Sequence, residues 1–424
     1  MSSAILHIKD SYYFEVPRGL WRSNRESIGE FPEHYVRLDP DYQLWEARRQ
    51  YEGLARMAGL ADLPAENALL QQYEQWRGRS SNFAKPFDRF LEEAPSQAWF
   101  QRQMGLGKYG HQIKGEADAE YSSRSEGAAL LRQAWASVKA NAESVEQYIA
   151  DAGQWPAEKI EAYNRELDGK MLIPQPFGQL RNNYQAESGF CISKFMILQL
   201  VVAAALLGVF TLLARRIRGG RVPHGRLWNL FETFLLFIRD RVARPAIGGH
   251  DADRFVPLLW TIFMFVLGCN LLGMLPWMGS PTASFSVTLA LALVTFATVV
   301  IAGSLRFGVF GFWKNQVPAL GLPWYLALPI VPMLFLIEVL GLFIKHGVLG
   351  FRLLANMVAG HIVLLAIMGL AVAAAASTSY PFVAIVSVVG ATLISCLELF
   401  VAFLQAYVFT FLSALFIGAA VHHH

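Results

Sequence analysis

The chain has 424 residues and a net charge of +3 that conceals two opposite halves. Residues 1–189 carry 22 basic and 27 acidic side chains and no long apolar run, whereas residues 190–424 carry 14 basic and 6 acidic side chains and every long apolar run. The small net charge therefore gives no argument for nucleic acid as a partner, and none is expected. The absence of a Walker A sequence, an HExxH, a GxGxxG and an EF-hand loop excludes nucleotide chemistry on this chain, and no cofactor or metal is expected.

In chain order, the stretch from Met1 to Pro17 has neither an apolar signal core nor the acid-poor, Arg-rich character of a transit peptide. Asp10 and Glu15 favour a bacterial plasma membrane over the alternative, the mitochondrial inner membrane. Residues 1–189 are expected to form one module and 190–424 a second, membrane-embedded one. The first is rich in Trp and Tyr, and residues 126–167 show helical patterning through Leu130, Leu131, Trp135, Val138 and Val145, interrupted at Gly153 to Pro156. No catalytic constellation accompanies it. His7, His34 and His111 are scattered and read as surface or core histidines.

Apolar runs of roughly 20 residues span a hydrocarbon core. They fall at about 192–213, 255–278, 284–305, 325–370 and 381–418. The last two exceed one crossing and predict long tilted or bent helices, with Pro329, Gly341, Gly347 and Gly350 as places to bend. Between the first two runs, Leu227, Leu230, Phe231, Phe234, Leu235, Ile238 and Val242 alternate with Arg226, Arg239, Arg241 and Arg244. That pattern predicts an amphipathic helix in the membrane interface, ending near Pro245 and Gly248. The fold class expected is an all-α membrane protein with five crossings, one interfacial helix and a mainly helical outer module.

Orientation follows from basic residues. Arg215, Arg216, Arg218, Arg221 and Arg226 follow the first run, and Arg306 and Lys314 follow the third, while the loops near 277–283 and 373–380 are uncharged. The positive-inside rule then puts the N-terminus and residues 1–189 outside and the C-terminus in the cytoplasm. Cys191, Cys269 and Cys396 lie in or beside apolar segments and are expected as small buried side chains; no CxxC pair exists.

Ionisable residues are few within the last two runs: Glu338, Lys345, His346, Arg352, His361 and Glu398, with Asn356 and Gln405 as polar companions. A guanidinium stays protonated and costs several kcal/mol, roughly, at the bilayer centre, so Arg352 needs a partner or a task. At about 100° per residue Asn356 shares its face, while His361 lies nearly opposite and roughly 13 Å along the axis. Glu398 and Gln405 are two turns apart on one stripe, roughly 10 Å in separation. Glu338 lies about 21 Å to the cytoplasmic side of Arg352 if the helix is continuous. A permanent cation thus stands between titratable groups on its two sides.

The run Phe351 to His361, with Glu398, Gln405, Ala406, Tyr407, Val408 and Phe409, resembles subunit a of the F-type ATP synthases. The resemblance covers about 190–418 and is supported by His224, Gly225, Arg226, Leu227, Asn229 and Leu230, by Asn270 to Gly273 and by Ser286 to Leu289. Residues 5–17 are similar to the family's short leading segment, so about 18–175 reads as a large insertion. The resemblance implies that Arg352 faces a carboxylate of the c-ring and that Asn356 and Gln405 accompany it near the proton entry path. His361 and Glu398 correspond to a titratable pair that some members carry in exchanged order, which implies contact between them. Glu338 corresponds to the acid on the exit side.

The partners so implied are the c-ring proteolipids, b-type peripheral stalk subunits and the bilayer, with an outside protein contact for 1–189 suggested by position alone. The chain would then be a non-catalytic, proton-conducting stator subunit with two offset half-channels, coupling proton flow to ring rotation and ATP synthesis. The competing expectation is a secondary transporter in which Arg352, Glu338 and Glu398 bind a solute or coupling ion; such proteins commonly carry inverted repeats, and none is visible here. A membrane-anchored sensor would leave the inner charges unexplained.

Overall fold

The computed structural model describes residues 10–79, 82, 85–112, 118–142, 144–218, 225–249, 251–275, 278–316, 324–375 and 380–422. His7, Arg221, His224, His423 and His424 lie outside these. The chain divides into two units: Val16–Cys191, and a second unit that joins residues 10–15 to Ile192 and everything after it.

The first unit is built from α1 (Glu33–Leu38), α2 (Pro40–Ala55), α3 (Glu66–Arg77), α4 (Phe87–Glu93), α5 (Ala98–Gln103), α6 (Asp118–Ala142), α7 (Val145–Ala152) and α8 (Ala157–Leu167). Most of its Trp and Tyr residues pack in or against two core clusters, and Trp21 is exposed. Tyr73, Phe87, Phe90, Phe100 and Trp135 fill one cluster, and Phe31, Tyr35, Tyr42, Tyr148 and Trp155 a second. Pro40 opens α2 with its fixed φ, and the Asp39 carboxylate caps it by accepting the Asp41 amide at 2.8 Å. Asp39 is fully buried, and Lys159 of α8 pairs with it and, at 2.8 Å, with Asp41, fastening the start of α2 to α8.

The interruption expected at Gly153 to Pro156 is present, with Gly153 at φ 69°. A second break, not anticipated, falls at Ser144, whose hydroxyl accepts the Gln147 amide and starts α7. Leu130, expected in the helical pattern, is exposed on α6. An antiparallel hairpin follows, β1 (Gly178–Asn182) with β2 (Gln185–Gly189), so the module is mainly but not wholly helical. The Asn182 side chain accepts the Tyr184 amide at 2.8 Å and shapes its turn.

Asn183 at that turn is buried. Its carbonyl oxygen lies 3.0 Å from His34 Nε2, and its amide donates to the Tyr35 hydroxyl at 2.7 Å. His34 is therefore a core histidine, and burial pushes its pKa down from 6.5 to about 4. The unfolded chain takes up a proton near pH 6.5 and the native site only near 4, so stability is undiminished above the first value. It declines as pH falls through that window, by about 3 kcal/mol in all. Amide exchange in α1 should accelerate over this range beyond its intrinsic rate, and His34→Gln should flatten the dependence; a flat wild-type profile would contradict the assignment.

Among its described residues the second unit contains five helices long and apolar enough to cross a membrane, over Lys194–Arg215, Ala252–Gly273, Phe285–Phe307, Pro329–Ala373 and Tyr380–Val421. They lie in α9 (Lys194–Arg218), α12 (Ala252–Gly273), α13 (Phe285–Phe307), α15 (Trp324–Ala373) and α16 (Tyr380–Val421), with α10 (Arg226–Phe237), α11 (Arg244–Ile247) and α14 (Val309–Asn315) between. The leading residues belong here: Asp10 accepts the Phe195 amide at 3.2 Å and Ser11 O accepts the Lys194 amide at 2.8 Å, so a distant segment caps the first span. α15 runs on through Pro329 and Pro332 for 50 residues. That is about 75 Å of helix against a core of about 30 Å, so it crosses inclined or curved.

The amphipathic segment is helical to Ile247 and stops at Gly248, φ 93°. It is not uniform, because Ile238–Ala243 widens into a π-helix between α10 and α11. Pro245 follows two residues on; its ring lacks an N–H and crowds the carbonyl four residues back, and widening relieves that clash. Ile238 and Val242 are fully buried, while Asp240 on the polar side holds Arg239 and Arg244, each at 2.9 Å. α11 lies directly on α16, where a Cβ at Gly418 would stand 2.0 Å from Ala246 O. All three cysteines are free; Cys269 is buried as expected, but Cys396 is exposed and Cys191 half-buried. Apolar neighbours do not imply burial on a span whose outer face is also apolar.

Candidate functional site

The site lies along α15 and α16. Leu349, Leu353 and Met357 bury one stripe of α15, and Gly350 brings the helix against α13, where a Cβ would stand 2.9 Å from Thr288 O and 3.2 Å from Ala292 Cβ. No larger residue fits, so the backbone two positions before Arg352 is held at close range. Arg352 is half-buried, and no described residue forms an ion pair or hydrogen bond with its guanidinium.

One turn on, Asn356 Nδ2 donates to Gln405 Oε1 at 2.7 Å, joining α15 to α16. Gln405 is buried, and its Nε2 has no acceptor among the described residues. A second rung lies further along: His361 Nδ1 stands 3.8 Å from Glu398 Oε1, with both side chains largely buried. From the first rung to the second, α15 advances from 356 to 361 while α16 retreats from 405 to 398, so the helices are antiparallel here. His361 Nε2 and Glu398 Oε1 are buried without a hydrogen-bond partner among the described residues. Buried polar atoms of this kind are poised to bond water or a moving proton.

Gly360 makes the second rung possible, since a Cβ there would stand 2.5 Å from Glu398 Oε1 and 3.1 Å from its Cγ. Gly360→Ala must push the carboxylate away from His361. Overpacking of this kind costs roughly 1–3 kcal/mol, and a lower thermal midpoint of the purified protein is expected. Gly369→Ala, with no heavy atom within 4 Å of the new Cβ, is the control on the same helix. Equal midpoints in the two variants would show that the two helices part here without cost.

Glu338 is half-buried and pairs with Lys345 at 3.3 Å. Glu338, Lys345 and Arg352 are spaced by seven and share one face. Lys345 was recognised as a charge but not as this partner, although the two equal spacings were visible. His346, one residue on, is buried against Phe296 and Phe416, with Nδ1 2.8 Å from Leu342 O. A buried network, also not foreseen, braces the bundle: Asn270 donates to Ala402 O at 3.2 Å and accepts from Thr282 at 2.7 Å, and Thr282 contacts Ser280 at 2.8 Å.

A helical protein of several membrane spans, with a permanent cation, an amide pair and an acid–imidazole pair inside those spans, belongs to the class that moves ions across membranes. Residues 196–418, more than half of the chain, match the family model of the ATP synthase A chain, and the chain belongs to that family. It is 42% identical over 236 residues to ATP synthase subunit a of Myxococcus xanthus, covering 55% of this chain and 75% of that protein. It is 38% identical over 293 residues to ATP synthase subunit a 2 of Chlorobaculum tepidum, covering 68% and 80%. The match to ATP synthase subunit a of Anaeromyxobacter dehalogenans is 48% over 203 residues, 48% of this chain and 51% of that protein. Family and spans together make this a multi-pass inner-membrane subunit of the proton-translocating Fo sector.

Proposed function

We propose that residues 190–424 form the stator half of a rotary proton pathway, with Arg352 facing a carboxylate of a c-ring and two offset half-channels meeting on either side of it. The observation that carries this is the ladder on α15 and α16: an Arg352 with no partner among the described residues, then the Asn356–Gln405 and His361–Glu398 rungs. A proton entering from outside passes His361 and Glu398, then the amide pair, and neutralises the ring carboxylate. The neutral acid travels through lipid, where its ionised form is costly, and ionises again on reaching the exit side near Glu338. Arg352 attracts the ionised carboxylate and repels a proton crossing directly between the half-channels. Each charge moved across the membrane is worth about 2.3 kcal/mol per 100 mV.

In this proposal the N-terminus and residues 1–189 lie outside and the C-terminus inside, and b-type stalk subunits hold the chain against the ring. The test is ATP-driven acidification of inverted vesicles from cells lacking this chain, with and without its return. Restored acidification and co-purification with a ring of small proteolipids are expected. Acidification that does not depend on the chain would overturn the proposal.

A further inference from the structure

The first unit exposes six large apolar side chains among its described residues: Leu20, Trp21, Leu130, Met171, Phe177 and Phe190. Five of them gather at the two places where the chain enters and leaves the unit. Leu20 and Trp21 follow its first residue, Val16, by four and five positions. Gly169 O accepts the Val16 amide and the Gly169 amide donates to Trp21 O, both at 2.9 Å, which brings Met171, two residues on, to this end. At the other end Phe190 directly precedes the last residue, Cys191, and its amide donates to Phe177 O at 3.0 Å beyond the open end of the hairpin. Leu20 is 80% exposed and Phe177 72%. Such exposure is costly in water unless something covers it.

Chain length says what lies within reach. Val16 is five residues from Ser11, whose carbonyl binds the first amide of the membrane-spanning α9, and Cys191 is three residues from Lys194, where that span begins. An extended chain covers at most about 3.5 Å per residue, so no more than roughly 20 Å of chain links either end to a membrane span. The material there in greatest supply is the lipid interface. The residue types match it: a Trp with flanking aliphatic and aromatic side chains, and on either side of Leu20 and Trp21 the exposed Arg18 and Arg22. Indole settles at the headgroup level, and arginine binds lipid phosphates. We propose that these five side chains form a foot that inserts into the headgroup and upper acyl region of the bilayer, with Arg18 and Arg22 on phosphate.

The full chain in nanodiscs of phosphatidylethanolamine and phosphatidylglycerol provides the test. With Cys191, Cys269 and Cys396 replaced, an environment-sensitive fluorophore is placed on Leu20→Cys, Phe177→Cys or, as control, Leu130→Cys. Lipids brominated near the headgroup should quench the first two several-fold more than the control, and exchanging phosphatidylglycerol for neutral phosphatidylcholine should weaken quenching at Leu20→Cys. Equal quenching at all three positions overturns the proposal. So does a blue-shifted emission without bromine quenching, which would mean that protein covers the foot. Should the cysteine-free chain fail to fold, photoactivatable phosphatidylglycerol and the unsubstituted chain decide the matter. Adducts should fall on the peptides around Trp21 and Phe177 and not around Leu130, and the reverse pattern or none at all overturns the proposal.

Discussion

Vesicles carrying Arg352→Ala are expected to lose ATP-driven acidification by about 100-fold or more, the equivalent of about 2.7 kcal/mol or greater at the limiting step. Three features set the size of this effect. The side chain is a permanent cation, so no pH restores or removes its charge. No described residue competes for it, which leaves its charge to act on the ring carboxylate that we propose it faces. The helix that presents it is held against α13 at Gly350, which fixes where that charge stands. Arg352→Lys tests the geometry separately: an ammonium is a point charge that can shed its proton when desolvated, so activity well below wild type is expected. Coupled pumping that survives Arg352→Ala would refute the proposed role of this residue outright.

Exchanging the second rung should separate a pair from two independent residues. His361→Glu alone sets two carboxyls against each other across 3.8 Å of largely buried space, and Glu398→His alone sets two imidazoles there. Each should slow pumping at least about tenfold, whereas the double exchange rebuilds one acid and one imidazole and should return to within about threefold of wild type. The resulting coupling would exceed about 2 kcal/mol, within the range for residues in direct contact. Additive losses in the double variant would mean that the two residues act apart. Cysteines at 361 and 398 should also crosslink efficiently, and a clear failure would argue against the rung.

Much of this arrangement was legible beforehand because the decisive signals are local. A run of about 20 apolar residues declares itself without tertiary context, and an arginine inside one is conspicuous for the same reason. Helical angle alone places Asn356 beside Arg352, and resemblance places Gln405 near the same path, but the bond between them crosses between helices and has no signal in the sequence. The Asn270, Thr282 and Ser280 network stayed hidden because its members are ordinary polar residues until the bundle closes around them. The π-helix was missed since its cause, Pro245, reads from sequence only as a stop. The hairpin at 178–189 has mostly polar, exposed strands with no alternating pattern to announce them. Cys396 is exposed despite its apolar neighbours because in lipid the outside of a helix is as apolar as its inside.

The cap on the first span has a consequence for how the chain is made. Asp10 and Phe195 are 185 positions apart, so the ribosome must deliver every intervening residue before the acid can find its amide. Closing so long a loop from a disordered chain costs about 4 to 5 kcal/mol of entropy beyond the constant term, more than one capping bond returns. The cap can form early only if the intervening residues have already condensed and shortened the path. Its closure would then act as a late checkpoint in biogenesis, engaging when the inserted unit has folded and leaving the end of the first span frayed when it has not.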